Sequence, residues 1–107
     1  MQKKENTFGL TKETISKINS VFEKHPEVEQ VEIYGSRAKG NYRTGSDIDL
    51  TLKGEKLSHE ILNRINNEID DLNTPYLFDI SIFDKLNAPS LEEHIQRIGK
   101  VFYQSLA

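Results

Sequence analysis

Three short segments alternate apolar with polar residues, and that alternation limits the fold more than any other feature. Val31 and Ile33 alternate with Gln30, Glu32 and Tyr34. Ile48, Leu50 and Leu52 alternate with Asp47, Asp49 and Thr51, and Phe78, Ile80 and Ile82 with Asp79 and Ser81. Successive side chains of a strand point to opposite faces, so each segment reads as a strand buried on one side. A sheet covered on both faces would give continuous apolar strands instead. Helical patterns surround the strands. Ile15, Ile18, Val21 and Phe22 follow Thr11, a candidate N-cap, and Pro26 ends that helix near Lys24 or His25. Leu57, Ile61, Leu62, Ile65, Ile69 and Leu72 mark a long amphipathic helix, closed by Asn73-Thr74-Pro75. Ser90 and Glu93 match a capping box, after which Leu91, Ile95, Ile98 and Phe102 continue the last helix. Residues 1–10 read as a flexible polar arm. The expected class is α+β, a small sheet with helices on one face and the other face open.

At 107 residues the chain is expected to form a single domain over 1–107. Its net charge of −3 argues against bulk binding to a nucleic-acid backbone. It contains no cysteine, which excludes disulfides, thiolate catalysis and cysteine metal sites. No apolar run approaches membrane-spanning length, and the first residues lack the apolar stretch of a signal peptide, so a cytoplasmic location and no membrane partner are expected.

Strand parity sets Asp47, Asp49 and Asp79 on the open face. Residues i and i+2 of a strand are about 6.5 Å apart at the backbone. Carboxylates at that spacing can share one cation or serve two, and two-metal sites hold their ions roughly 3.5–4 Å apart. Without a cation such carboxylates repel. Oxygen-only ligands favour Mg²⁺, or Mn²⁺, over zinc. Just before the acids stands Gly35-Ser36-Arg37-Ala38-Lys39-Gly40. Gly35 permits a sharp bend and close approach of a phosphate. Ser36 offers a hydroxyl and an amide, and Arg37, Lys39 and Arg43 are candidate partners for triphosphate oxygens. The pattern leaves open which of the three points inward. Each piece alone is ordinary: Gly-Ser is a common turn, Asp-x-Asp is usually a pair of solvated acids, and single basic residues are usually surface charges. His25, His59 and His94 match no metal spacing. Tyr34 lies on the polar face, where packing is a more natural role than stacking on a base.

Together the pieces are far more specific. Gly35-Ser36, ten residues, then Asp47-Ile48-Asp49 resembles the signature of the DNA polymerase β-like nucleotidyltransferase superfamily. Gly35 to Gly40 and Ser46-Asp47-Ile48-Asp49-Leu50 are similar to its minimal nucleotidyltransferase (MNT) branch, and Asp79 resembles the third family carboxylate. The motif core covers residues 31–52. The resemblance implies a mixed sheet with an open catalytic face, and transfer of a nucleoside monophosphate with loss of pyrophosphate. It implies that Asp47 and Asp49 bind two Mg²⁺ ions, that Asp79 binds the catalytic one and helps activate the acceptor, and that Gly35 and Ser36 hold the triphosphate. Lys39 stands where many relatives have arginine, which keeps charge but loses a bidentate fork. Members of this branch commonly pair with a helical HEPN-domain protein as its antitoxin, and some move AMP from ATP to a tyrosine of that partner. Two other readings stand beside this one: an antitoxin or binding module that neutralises its partner by contact alone, and a nucleotidyltransferase acting on a small molecule. The acceptor, base preference and oligomeric state, including a homo-oligomer, stay open.

Overall fold

A computed structural model describes residues 6–106. The elements follow one another as Asn6–Thr7 (β1), Leu10–Thr11 (β2), Lys12–Glu23 (α1), Gln30–Tyr34 (β3), Ser36–Lys39 (α2), Ile48–Lys53 (β4), His59–Asp70 (α3), Phe78–Ile82 (β5), a 3₁₀ turn at Phe83–Lys85, Pro89–Ile98 (α4) and Lys100–Gln104 (β6). Among the described residues, β1 and β2 form a two-stranded hairpin, and the main sheet has the order β5-β4-β3-β6. β4 runs antiparallel to β3 and parallel to β5, so the sheet is mixed. A parallel pair needs a crossover, and α3 supplies it.

The alternation has its expected consequence. Val31, Ile33, Ile48, Leu50, Leu52, Ile80 and Ile82 are buried in one cluster with Ile18, Val21 and Phe22 of α1 and Ile65 and Ile69 of α3. Each fully buried aliphatic or aromatic side chain contributes about 1.5–3 kcal/mol. Thr11 caps α1 through a bond from the Thr14 amide, as its position suggests, and Lys24 closes the helix just before Pro26. Ser58 caps α3 in the same way, accepting from the Ile61 amide. No helix among the described residues is long and apolar enough to cross a membrane.

Two expectations require correction. The first is the loose arm over residues 1–10: residues 1–5 lie outside the described part, but residues 6–11 form the hairpin. Leu10 is fully buried, and the Phe8 ring lies 6.1 Å from that of Phe102. The few apolar residues of this segment cover the end of the core, which a tally of its polar residues hides. The second is the last helix. It stops at Ile98, Gly99 is extended (φ −59°, ψ 146°), and the chain returns as β6 antiparallel to β3. Phe102 is buried from this strand, not from the helix. It stands four residues after Ile98, a helical interval, and one apolar position fits both periods. The capping box also fails: Pro89 is the first helical residue, Ala88 is the N-cap, and Glu92, not Glu93, accepts from the Ala88 amide at 3.4 Å. Pro89 is suited to that first position because its missing N–H would have no partner there.

α4 packs against β3. Its Ile95 is fully buried, and the His94 ring stands edge-on to Tyr34, 6.2 Å between centroids. Tyr34 shares the polar face with Asp49, so α4 covers the β3 side of that face. Tyr34 is buried, Asp49 half-buried and Asp79 exposed.

Candidate active site

Strand register builds the site. Tyr34 of β3 is paired with Asp49 of β4, and Asp49 with Asp79 of β5. Adjacent strands lie about 4.8 Å apart, so the three side chains form one row across the polar face. Thr51 and Ser81 form the next row, where the Ser81 hydroxyl donates to Thr51 Oγ1 at 3.0 Å. Asp47 precedes β4 by one residue and is exposed.

Gly35 ends β3 directly beside this row. Its φ of 75° and ψ of −154° belong to a region that essentially only glycine occupies. A Cβ there would stand 2.5 Å from Asp49 Oδ2. The absent side chain therefore lets the Asp49 carboxylate lie against the turn. Gly35 has no side chain to cap the following helical turn, so the amides that open α2 at Ser36 keep no side-chain acceptor. Gly40 closes α2 in a left-handed conformation.

The structure thus brings Gly35 and Ser36 to Asp49, with Asp79 beside it and Asp47 just ahead. Lys39 and Arg43 are exposed on the turn and the loop that follows. Arg37 is placed elsewhere. It is 3% exposed, and its guanidinium donates to the carbonyls of Ser46 and Phe8. The sequence left open which basic residue points inward; Arg37 does, but towards backbone carbonyls.

Electrostatics couple the acids. Burial, followed by the charges of Asp79 and Asp47, pushes the Asp49 carboxyl above its ordinary value, while His94 pulls it down. Burial and then Asp79 push the Tyr34 hydroxyl up, with Asp49 adding to it and a hydrogen bond with Ser81 opposing. Tyr34 and His94 are therefore part of this site. Parity already placed Tyr34 on the right face. Nothing in the sequence placed His94, because its approach depends on where α4 packs.

A divalent cation suits this donor set. The paired Asp49 and Asp79 offer only oxygen, and like charges already strain Asp49. Among the described residues no three acid or histidine side chains are drawn together as a finished metal cage.

Comparison with known proteins agrees with this geometry. The family model described as Polymerase beta, Nucleotidyltransferase matches residues 16–106. No curated protein matches the sequence. Among solved structures, the chain is similar to one in a toxin–antitoxin crystal structure with AMP-PNP, at 16% identity and a TM-score of 0.68, covering 86% of this chain and 74% of that one. It is similar to one in the complex of a tri-AMPylated Shewanella oneidensis HEPN toxin with its MNT antitoxin, at 15% identity and a TM-score of 0.61, covering 86% and 71%. A putative nucleotidyltransferase from Sulfolobus solfataricus shares 18% identity and a TM-score of 0.54, covering 84% and 76%. At these identities the likeness is one of fold. With a glycine turn set against paired strand carboxylates inside the matched residues 16–106, this chain belongs to the polymerase beta nucleotidyltransferase family.

Proposed function

We propose that this protein moves AMP from ATP to an acceptor hydroxyl, that of a tyrosine on a HEPN-domain partner, and so acts as that partner's antitoxin. One observation carries the reading: Asp49 and Asp79 are neighbours across a parallel ladder, with Gly35 against Asp49. The family generally uses divalent metal ions. Asp47, Asp49 and Asp79 would hold them, and Mg²⁺ bound there would neutralise triphosphate charge. Ser36 and the free amides of the turn bind and orient the phosphates. Lys39 and Arg43, both exposed, would meet outer phosphate oxygens. The acceptor oxygen bonds to the α-phosphorus as the bond to the bridging oxygen breaks, and pyrophosphate leaves. Asp79, the exposed member of the row, takes the acceptor proton and passes it to water. The neighbouring structures with AMP-PNP and with an AMPylated HEPN toxin support the choice of nucleotide and partner.

The test is incubation with α-labelled ATP, Mg²⁺ and the product of the neighbouring gene. Label on a partner tyrosine, lost with Asp49→Asn, is the expected outcome. Neutralisation that survives the double change Asp47→Asn and Asp49→Asn, with no label on the partner, would instead mean a contact-only antitoxin.

A further inference from the structure

We infer that Arg37 is a positioning residue that sets Asp47 against the phosphate turn by holding the carbonyl of Ser46. The inference rests on the metal-holding role just proposed for Asp47. Arg37 belongs to α2, the turn that begins at Ser36, whereas Ser46 immediately precedes Asp47. Two nitrogens of the guanidinium meet the Ser46 oxygen, Nη2 at 2.8 Å and Nε at 3.2 Å. Nη1 donates to the Phe8 carbonyl at 2.9 Å. The same group lies 5.4 Å from the ring centroid of Tyr42 and 5.0 Å from that of Tyr76. Tyr76 leads into β5, which carries Asp79. One side chain therefore ties together the phosphate turn, the approach to Asp47 and the approach to Asp79.

The loop needs such a tie. Residues 41–45 are all exposed, and their loop closes on itself through bonds from the Ser46 amide to the Arg43 carbonyl and from the Arg43 amide to Ser46 Oγ, both at 2.9 Å. Those bonds shape the loop; the Asn41 amide ties its start to α2 by donating to the Ser36 carbonyl at 3.2 Å, and Arg37 ties its far end. Reaching a triphosphate would require Arg37 to abandon its three part-buried bonds to the Ser46 and Phe8 carbonyls. Lysine cannot replace it, because an ammonium lacks the planar fork that grips one oxygen with two donors while lying between two rings. Gly9 gives an independent handle. Its φ is +75°, and a Cβ there would meet the Tyr42 ring at 2.5 Å and Arg37 Nη1 at 2.9 Å. Gly9→Ala thus disturbs the clamp and leaves its charge in place.

Mn²⁺ binding, read from the free-ion paramagnetic resonance signal, tests this on wild type, Arg37→Lys, Arg37→Met and Gly9→Ala, each first melted to confirm folding. Loss of an outer-shell support typically weakens metal binding about tenfold or more. That loss is expected for both Arg37 variants, with a smaller loss for Gly9→Ala. Binding of a fluorescent ATP analogue in EDTA should stay unchanged. Normal Mn²⁺ affinity in folded Arg37 variants overturns the inference, whether nucleotide affinity falls, as for a phosphate ligand, or holds, as for a simple brace. If the Arg37 variants do not fold, Gly9→Ala decides alone by the same criterion. Amide exchange at Ser46 and Asp47 reads the clamp without metal, and equal rates in wild type and variants also overturn it. A wild type that takes no Mn²⁺ yet shows faster exchange in the variants would sink the proposed function and leave the clamp standing.

Discussion

Burial and the neighbouring charges of Asp79 and Asp47 hold the Asp49 carboxyl above its ordinary value. The folded chain then binds that proton more tightly than the unfolded chain. Stability tied to it is present at low pH and falls as pH rises from the unfolded value through the raised one. Asp49→Asn should accordingly melt a few degrees higher than wild type at neutral pH and about equally in acid, while losing transfer. Thermal melts across the pH range check this, and a wild type at least as stable as the variant at neutral pH without cation would refute it. Gly35 is under the opposite constraint. Gly35→Ala combines a glycine-only backbone with a Cβ 2.5 Å from Asp49 Oδ2. It should cost about 1–3 kcal/mol in urea unfolding. Displacing the carboxylate from the phosphates should lower transfer about a hundredfold or more. At this scale much was legible: strand parity and the Gly-Ser spacing already singled out Gly35, Ser36, Asp47, Asp49 and Asp79. Arg37 was not legible as a clamp, because its partners are carbonyls of Phe8 and Ser46, and any residue type can supply a carbonyl.

Elements were read best where a local signal sets their ends. Thr11 and Pro26 bound α1, and Gly35 ends β3, through backbone chemistry that acts within a few residues. The misread elements are those whose stability comes from distant partners. β2 is two residues long, and without the core that Leu10 enters it would not persist. Leu10→Ala should therefore cost about 2–5 kcal/mol in denaturant unfolding, whereas a residue in a loose arm would cost almost nothing. β6 exists because β3 offers it a free edge, and the pairing places Phe102 in the core. Phe102→Ala should cost about 3–5 kcal/mol by the same measurement. A loss below 1 kcal/mol would argue against its place in β6.

Over the whole molecule, the arrangement separates stability from chemistry by face. α1 and α3 bury the apolar face, and the polar face holds its acids towards the exposed β5 edge, with α4 over the β3 side. A ligand that relieves the repulsion among those acids should stabilise the fold by mass action, by about 2.7 kcal/mol at a hundred times its dissociation constant. Mg²⁺ with a non-hydrolysable ATP analogue should raise the melting temperature of wild type, EDTA should reverse the rise, and Asp49→Asn should show little of it. An equal shift in that variant would place the binding elsewhere. The sequence by itself determined which side chains share a face, because the pleat alternates them regardless of what lies nearby. It also determined the turn chemistry at Gly35 and the spacing from Ser36 to the acids. Only the tertiary structure decided that Asp79 is the direct neighbour of Asp49, that His94 and Tyr34 stand beside them, that Phe102 lies on a strand, and that Arg37 grips the loop before Asp47. Those outcomes depend on strand order and helix docking. Both are settled by burial summed over segments far apart in the chain, to which no local pattern is sensitive.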